Sequence, residues 1–124
     1  MRKFYLAVAA VLCMSVVANA SCKKPSDSYE ATYCSAKMFL ALDDELNDIY
    51  KELRSLVSPD MQKKLKAVQL EWIEYRNGQC EYMGTINLTC NNEVTTNRIE
   101  YMRQRVREIK AGQARNDLIG VKSW

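Results

Sequence analysis

Five cysteines are the residues of this 124-residue chain whose chemistry is simplest to interpret. Cys13 lies in an apolar N-terminal segment that we expect to be removed, which leaves an even number. Four cysteines in an exported protein are typical of two disulfides. The sequence has no Cys-x-x-Cys pair and no histidine, so we expect neither a metal site nor another cofactor. The remaining four are Cys22, Cys34, Cys80 and Cys90.

Side-chain catalysis has little support in this sequence. Without histidine there is no Ser-His or Cys-His pair to activate a nucleophile, and oxidised cysteines cannot attack a substrate. Carboxylates do adjoin one another at Asp43, Asp44 and Glu45. Adjacent positions on a helix point in different directions, however, and do not form the carboxylate pair of a glycosidase. We therefore expect a protein that binds and is not an enzyme.

Charge is unevenly distributed along the chain. Residues 27–60 contain eight acidic and three basic residues, a balance of −5, whereas residues 61–124 contain seven acidic and eleven basic residues, a balance of +4. The acidic positions of the first part are interpreted as a helix face that could steer a strongly basic partner, with an ordinary solvated surface as the alternative. This acidic face consists of Asp44, Glu45, Asp48 and Glu52.

Residues 1–20 have the features of a signal peptide. Two basic residues precede an uncharged, mostly apolar stretch, and Ala-Asn-Ala at 18–20 is typical of a cleavage site. The apolar stretch is shorter than the roughly 20 residues that cross a bilayer. We expect an exported mature chain from about Ser21, periplasmic or secreted and without a transmembrane segment. A retained anchor or a lipid on Cys22 is the alternative.

The mature chain, with 16 basic and 15 acidic residues, has a net charge of +1 once Arg2 and Lys3 are removed. A nearly neutral domain gives no argument for binding nucleic acid or an anionic membrane. We expect a protein partner instead.

Apolar residues at spacings of three and four predict three helices. They run from about Ser28 to Leu56, from Pro59 to about Met83, and from residues 85–87 to about Lys110. Ser58 suits the N-cap of the second helix, with Pro59 at its first position, and Gly84 suits its C-terminal end. For the third helix, Ile86, Cys90, Val94, Asn97 and Tyr101 form one predicted row, and Val106 and Ile109 continue a face further on.

Short connections make consecutive helices antiparallel. The predicted fold is therefore all-α, a small antiparallel three-helix hairpin or bundle stapled by two disulfides, over residues 21–110. Residues 111–124 are expected to form a loose tail. Counting from the turn between the first two helices places all four mature cysteines at one end of the domain. Two pairings stay open, Cys34–Cys80 with Cys22–Cys90, or Cys22–Cys80 with Cys34–Cys90.

Several polar residues lie on or beside the apolar stripes. Asn47 and Gln69 are equally far from the first turn and are expected to face each other, and Asp43 lies within reach of Arg76. A buried polar network that fixes the helix packing is one interpretation, and a binding site is the other. Tyr50, Trp72, Thr95 and Arg98 are also predicted on inner faces.

These polar positions resemble the signatures of the LprI-like lysozyme inhibitor family. Residues 43–50 resemble its D-x-x-L-N-x-x-Y signature, and residues 68–80 resemble its A-Q-x-x-W-x-x-(F/Y)-R-D-x-x-C helix. Cys90 with Thr95 and Arg98 matches its C-x4-T-x-x-R segment. The sequence departs from the pattern at Val68, at Asn77 and in the short stretch between Cys80 and Cys90.

The resemblance covers about residues 22–105, nearly the whole mature domain. It implies an exported helical domain and, in the branch that names the family, an inhibitor of host lysozyme. The alternative is an envelope or secreted interaction module with another protein partner. The matching motif positions, which we expect to be structural, are Asp43, Leu46, Asn47, Tyr50, Gln69, Trp72, Arg76, Thr95 and Arg98.

Overall fold

A computed structural model of the protein describes residues 22–113 and Trp124. The predicted signal peptide and residues 114–123 of the predicted tail lie outside the described residues. Three helices account for most of the described chain, which confirms the all-α prediction. They are α1 (Ser28–Ser55), α2 (Pro59–Cys80) and α3 (Leu88–Lys110).

The described residues divide into two compact units, one that ends at Lys37 and one that begins at Met38. In the described part of the first unit, side chains that precede α1 cap its N-terminus. Asp27 Oδ1 accepts a 2.8 Å hydrogen bond from the backbone N–H of Glu30. The Glu30 carboxylate in turn accepts one from the backbone N–H of Ser26 at 2.7 Å. This reciprocal arrangement satisfies N–H groups that have no partner inside the helix.

The second unit contains the hydrophobic core. Each helix buries an apolar stripe against the other two, as the spacing of three and four predicts. Leu53, Leu65 and Met102, one from each helix, have no exposed surface at all. The buried core residues are Leu46, Ile49, Leu53, Val57, Leu65, Trp72, Ile99, Met102 and Val106.

The start of α2 follows its prediction. Ser58 Oγ accepts a 3.3 Å hydrogen bond from the backbone N–H of Met61, and Pro59 occupies the first helical position. Proline is well accommodated there because its missing N–H would have no partner within the helix. Ser58 is therefore confirmed as the N-cap.

The end of α2 differs from its prediction. The helix stops at Cys80, and a short antiparallel hairpin follows, with strands β1 (Glu81–Tyr82) and β2 (Thr85–Ile86). The two residues between the strands, Met83 and Gly84, have φ angles of 48° and 75°. Two consecutive positive φ angles are characteristic of a type I′ turn, whose twist matches that of the flanking strands. The prediction of Gly84 as a helix-ending residue was wrong.

The cysteine pairing also differs from both predicted alternatives. The two disulfides are confirmed, but they join Cys22 to Cys34 and Cys80 to Cys90, with Cα–Cα distances of 5.5 Å in each pair. The hairpin turns the chain back after Cys80, and this places Cys90 within disulfide range. Each bond links cysteines that are consecutive among these four, so neither joins α1 to α2 or α3.

The buried face of α3 matches its prediction only in part, since Val106 is buried and Ile109 packs against the core but the predicted row before them is not the buried one. Ile86 and Asn97 are exposed, and Ile86 belongs to β2. Cys90, Val94 and Tyr101 are only partly buried. Thr95 and Arg98 are buried as predicted, whereas the polar residues Asn91 and Asn92 were not expected on the inward face. The buried residues of α3 are Asn91, Asn92, Thr95, Arg98, Ile99, Met102 and Val106.

Within the described residues, none of the helices has the length and apolar character needed to cross a membrane.

Candidate functional site

A buried polar pair joins α2 to α3. Arg98 is only 2% exposed, and its Nε donates a 2.9 Å hydrogen bond to Oε1 of Gln69. Gln69 is itself buried, as is Thr95 one turn before Arg98. A bond between neighbouring helices at this depth fixes their relative register, because a buried polar group left without a partner is costly.

Aromatic rings surround the guanidinium of Arg98. Its Cζ lies 5.0 Å from the ring centre of Tyr101, 5.4 Å from that of Trp124 and 6.0 Å from that of Trp72. The faces of aromatic rings attract a cation at these distances. Burial lowers the pKa of Arg98 to about 10, against an opposing electrostatic effect of Tyr101. Arg98 therefore keeps its positive charge at neutral pH.

Arg98 faces a cavity of about 200 Å³, which we call the Arg98 cavity. Nη1 and Nη2 of Arg98 are buried and find no hydrogen-bond partner within the described part of the chain. The cavity is lined by Trp72, Tyr75, Val94, Asn97, Arg98, Tyr101 and Trp124.

A second cavity, of about 280 Å³, brings motif residues of α1 and α2 together. Asp43 and Asn47 are exposed at its surface, whereas Tyr50 and Arg76 are partly buried. No hydrogen bond joins Asn47 to Gln69 or Asp43 to Arg76 among the described residues. Its lining is Asp43, Leu46, Asn47, Tyr50, Lys66, Gln69, Leu70, Ile73 and Arg76.

Arg76 makes contacts other than the predicted one. Its Cζ lies 5.2 Å from the ring centre of Trp72, and its Nε donates a 3.4 Å hydrogen bond to Oδ1 of Asn77. The ring of Trp72 therefore has two guanidinium groups near it, those of Arg76 and Arg98.

The expectation of one wholly buried network is corrected in part. Leu46, Gln69, Trp72, Thr95 and Arg98 are buried. The remaining motif residues are exposed or partly buried, and they line the second cavity. They are Asp43, Asn47, Tyr50 and Arg76.

The acidic face of α1 is partly neutralised by α3. Glu45 forms an ion pair with Arg103 at 3.5 Å, and Glu52 forms one with Lys110 at 2.6 Å. Asp44 and Asp48 are exposed and form no ion pair within the described residues. They lie four residues apart and so on one side of the helix. The free negative charge of this face is therefore concentrated at Asp44 and Asp48.

Among the described residues, no group of three or more His, Cys, Asp or Glu side chains could hold a metal ion. Cys22, Cys34, Cys80 and Cys90 are held in disulfides, so none of these four is available as a nucleophile.

Sequence reasoning did not identify Tyr101 and Trp124 as parts of a site with Arg98. Tyr101 follows Arg98 by three positions, and this spacing on a helix was a signal that could have paired them. The position of Trp124 depends on tertiary structure, because it follows α3 by fourteen positions and yet lies 6.0 Å from the ring of Tyr75.

Comparison with known proteins gives a family match and a similar protein. A family model described as "Lysozyme inhibitor LprI" matches residues 20–102. An uncharacterized protein of Rhizobium meliloti (strain 1021) is 29% identical over 102 residues, covering 68% of this chain and 73% of that protein. No solved structure matches the chain. The matched residues include both disulfides and the Gln69–Arg98 pair.

Proposed function

The chain belongs to the LprI lysozyme inhibitor family, and we propose on this basis that it is an exported binding protein that inhibits an animal-type lysozyme. The family match over residues 20–102 is the observation that carries the proposal. It spans the three motif segments together, and so it concerns most of the helical domain and not one isolated signature.

The disulfides support the export part of this proposal. Disulfides persist in oxidising compartments such as the periplasm and the extracellular space, and they are rare in the bacterial cytoplasm. The second unit is small, and the Cys80–Cys90 bond holds its hairpin closed. We propose a periplasmic or secreted location, where such a bond would remain oxidised.

The negative charge on the surface of α1 supports the proposal of a basic partner. Because Glu45 and Glu52 are neutralised by Arg103 and Lys110, attraction of a cationic lysozyme would depend mainly on Asp44 and Asp48. Exposed charges of this kind act chiefly on the rate of association and on specificity. We therefore propose that this side of α1 faces the enzyme in the encounter.

Direct titration of the oxidised protein with an animal lysozyme, combined with a cell-wall clearing assay, tests the proposal. We expect saturable binding in calorimetry and slower clearing as the protein concentration rises. If calorimetry gives no heat at micromolar protein and clearing proceeds at its normal rate, lysozyme inhibition is excluded. The protein would then be an interaction module with another partner.

A further inference from the structure

The Arg98 cavity combines a buried cation with aromatic walls. We propose that this cavity is a binding site for a small organic carboxylate with an apolar, preferably aromatic, body. The site shares no residue with the acidic face of α1, and it is independent of the proposed inhibition of lysozyme.

The first argument is that, among the described residues, no acidic side chain lining the cavity balances the charge of Arg98. A buried ion is costly unless an opposite charge or a full set of hydrogen bonds accompanies it. The described residues that line the cavity include no Asp or Glu. Gln69 is neutral and accepts only from Nε, at 2.9 Å. A negatively charged ligand would therefore complete the electrostatic environment of the guanidinium.

The second argument is the geometry of the free donors. Nη1 and Nη2 are both buried and both lack a partner within the described residues. They form one edge of the planar guanidinium, and a carboxylate can accept from two such N–H groups at once. The rings of Tyr101, Trp72 and Trp124 attract the cation through their faces and do not replace these hydrogen bonds.

The third argument is the size and character of the space. An apolar cavity of about 150 Å³ is large enough to bind benzene. The Arg98 cavity, at about 200 Å³, has room for a ring that carries a carboxylate. Trp72, Tyr75 and Trp124 would pack against the apolar body of such a ligand. Inorganic phosphate has no apolar body, so it would not use these walls.

Tryptophan fluorescence gives a direct measurement, because the chain has two tryptophans and both line the cavity. The oxidised protein is titrated with benzoate and phenylacetate, with the neutral analogues benzamide and benzyl alcohol, and with phosphate. We expect saturable changes with the carboxylates and affinities about tenfold or more weaker for the neutral analogues, since charge-assisted hydrogen bonds are lost. Equal affinity for charged and neutral compounds, preference for phosphate, or no binding at all would overturn the proposal.

Variants identify the charged group. We expect Arg98→Met to abolish the preference for carboxylates over neutral analogues. Arg76→Met is the matched control, because Arg76 also contacts Trp72 but lines the second cavity. The control should bind carboxylates as the unaltered protein does. An Arg98→Met protein that keeps the preference would contradict the assignment.

A second variant keeps the test decisive if Arg98→Met does not fold. Val94 is partly buried and lines the cavity, and Val94→Phe would fill part of the space while leaving the Arg98 guanidinium in place. We expect it to weaken carboxylate binding about tenfold or more, in proportion to the contacts that the ligand loses. Unchanged affinity in a folded Val94→Phe protein would place the ligand elsewhere and overturn the proposal.

Discussion

Arg98 and Gln69 are polar motif residues that are buried, whereas other polar motif residues are exposed. Both lie within family motifs, and the exposed Asn47 lies within another motif of the same family. Gln69 is buried and holds the Arg98 Nε, whereas Asn47 is exposed and makes no hydrogen bond to Gln69 among the described residues. Position in a motif therefore does not determine the energetic importance of a polar side chain.

Replacing Gln69 should be costly. We expect Gln69→Ala to lower the free energy of unfolding by about 1–3 kcal/mol, because Arg98 Nε would stay buried without a partner. Asn47→Ala is the matched control and should change it by less than about 0.5 kcal/mol, as is usual for exposed positions. Urea unfolding followed by circular dichroism measures both. A large loss for Asn47→Ala would contradict the exposed position of this residue.

Some elements of the fold could be predicted from the sequence and others could not. The bounds of α1 and the start of α2 follow from apolar spacing and from Ser58-Pro59, because these signals are local. The hairpin was missed because its strands have only two residues each and its turn is Met83-Gly84, not the usual Asn-Gly. The buried face of α3 was predicted only in part. Thr95 and Arg98 were expected on an inner face, but Asn91 and Asn92 were not, because they are polar and tertiary contacts, not apolar periodicity, place them inside.

The site could be predicted only in part, for a related reason. The motif residues of α2 and α3 do meet, since Gln69 and Arg98 are bonded across the two helices. The aromatic enclosure of Arg98 also needs Trp124, and no local sequence rule places that residue near α2 or α3.

Two glycines should respond in opposite ways to the same substitution. Gly84 has a φ of 75°, and we expect Gly84→Ala to lower the free energy of unfolding by about 1–2 kcal/mol, because a side chain disfavours this backbone conformation. Gly78 lies within α2 with open space around its Cβ position, and Gly78→Ala should raise it by roughly 0.5–1 kcal/mol.

Thermal and urea unfolding of the two alanine variants distinguish these expectations. The hairpin side chains near Gly84 are exposed, so lost packing would not account for a change there. A Gly84→Ala protein as stable as the parent would show that this position does not need a positive φ.

The disulfide pairing can be checked on the non-reduced protein. Peptide mapping under non-reducing conditions should recover one bond between Cys22 and Cys34 and one between Cys80 and Cys90. We expect no thiol of these four to react with an alkylating reagent before reduction. A disulfide between Cys34 and Cys80 would contradict the structure. It would support one of the two pairings that were predicted by counting residues from the turn between the first two helices.

At the scale of the whole molecule, the distribution of charge decides how a partner approaches. Residues 27–60 have a net charge of −5, but this negative charge is not spread evenly over the surface. Arg103 and Lys110 neutralise Glu45 and Glu52. A basic protein that approaches α1 would therefore meet a smaller negative area than the sequence indicates.

Reversing the two free acidic residues tests the proposed approach to lysozyme. We expect Asp44→Lys with Asp48→Lys to slow association with lysozyme while leaving the melting temperature nearly unchanged. Glu74→Lys with Glu93→Lys is the matched control, because it makes the same change of charge at exposed positions of α2 and α3. Stopped-flow association at low and high salt measures the effect.

The effect of the α1 reversals should shrink as salt rises, since the screening length falls from about 10 Å at 0.1 M to about 3 Å at 1 M. Equal slowing by both double variants would show that total charge, and not the α1 surface, governs association.

The consecutive pairing of the four cysteines has a consequence for the order of maturation. If the chain is exported from its N-terminus, as we propose, Cys22 and Cys34 emerge together, well before Cys80 and Cys90. An oxidant that joins each new thiol to the one released just before it would then produce the native bonds without later exchange. We therefore expect maturation to require a thiol oxidase in the receiving compartment but little help from a disulfide isomerase.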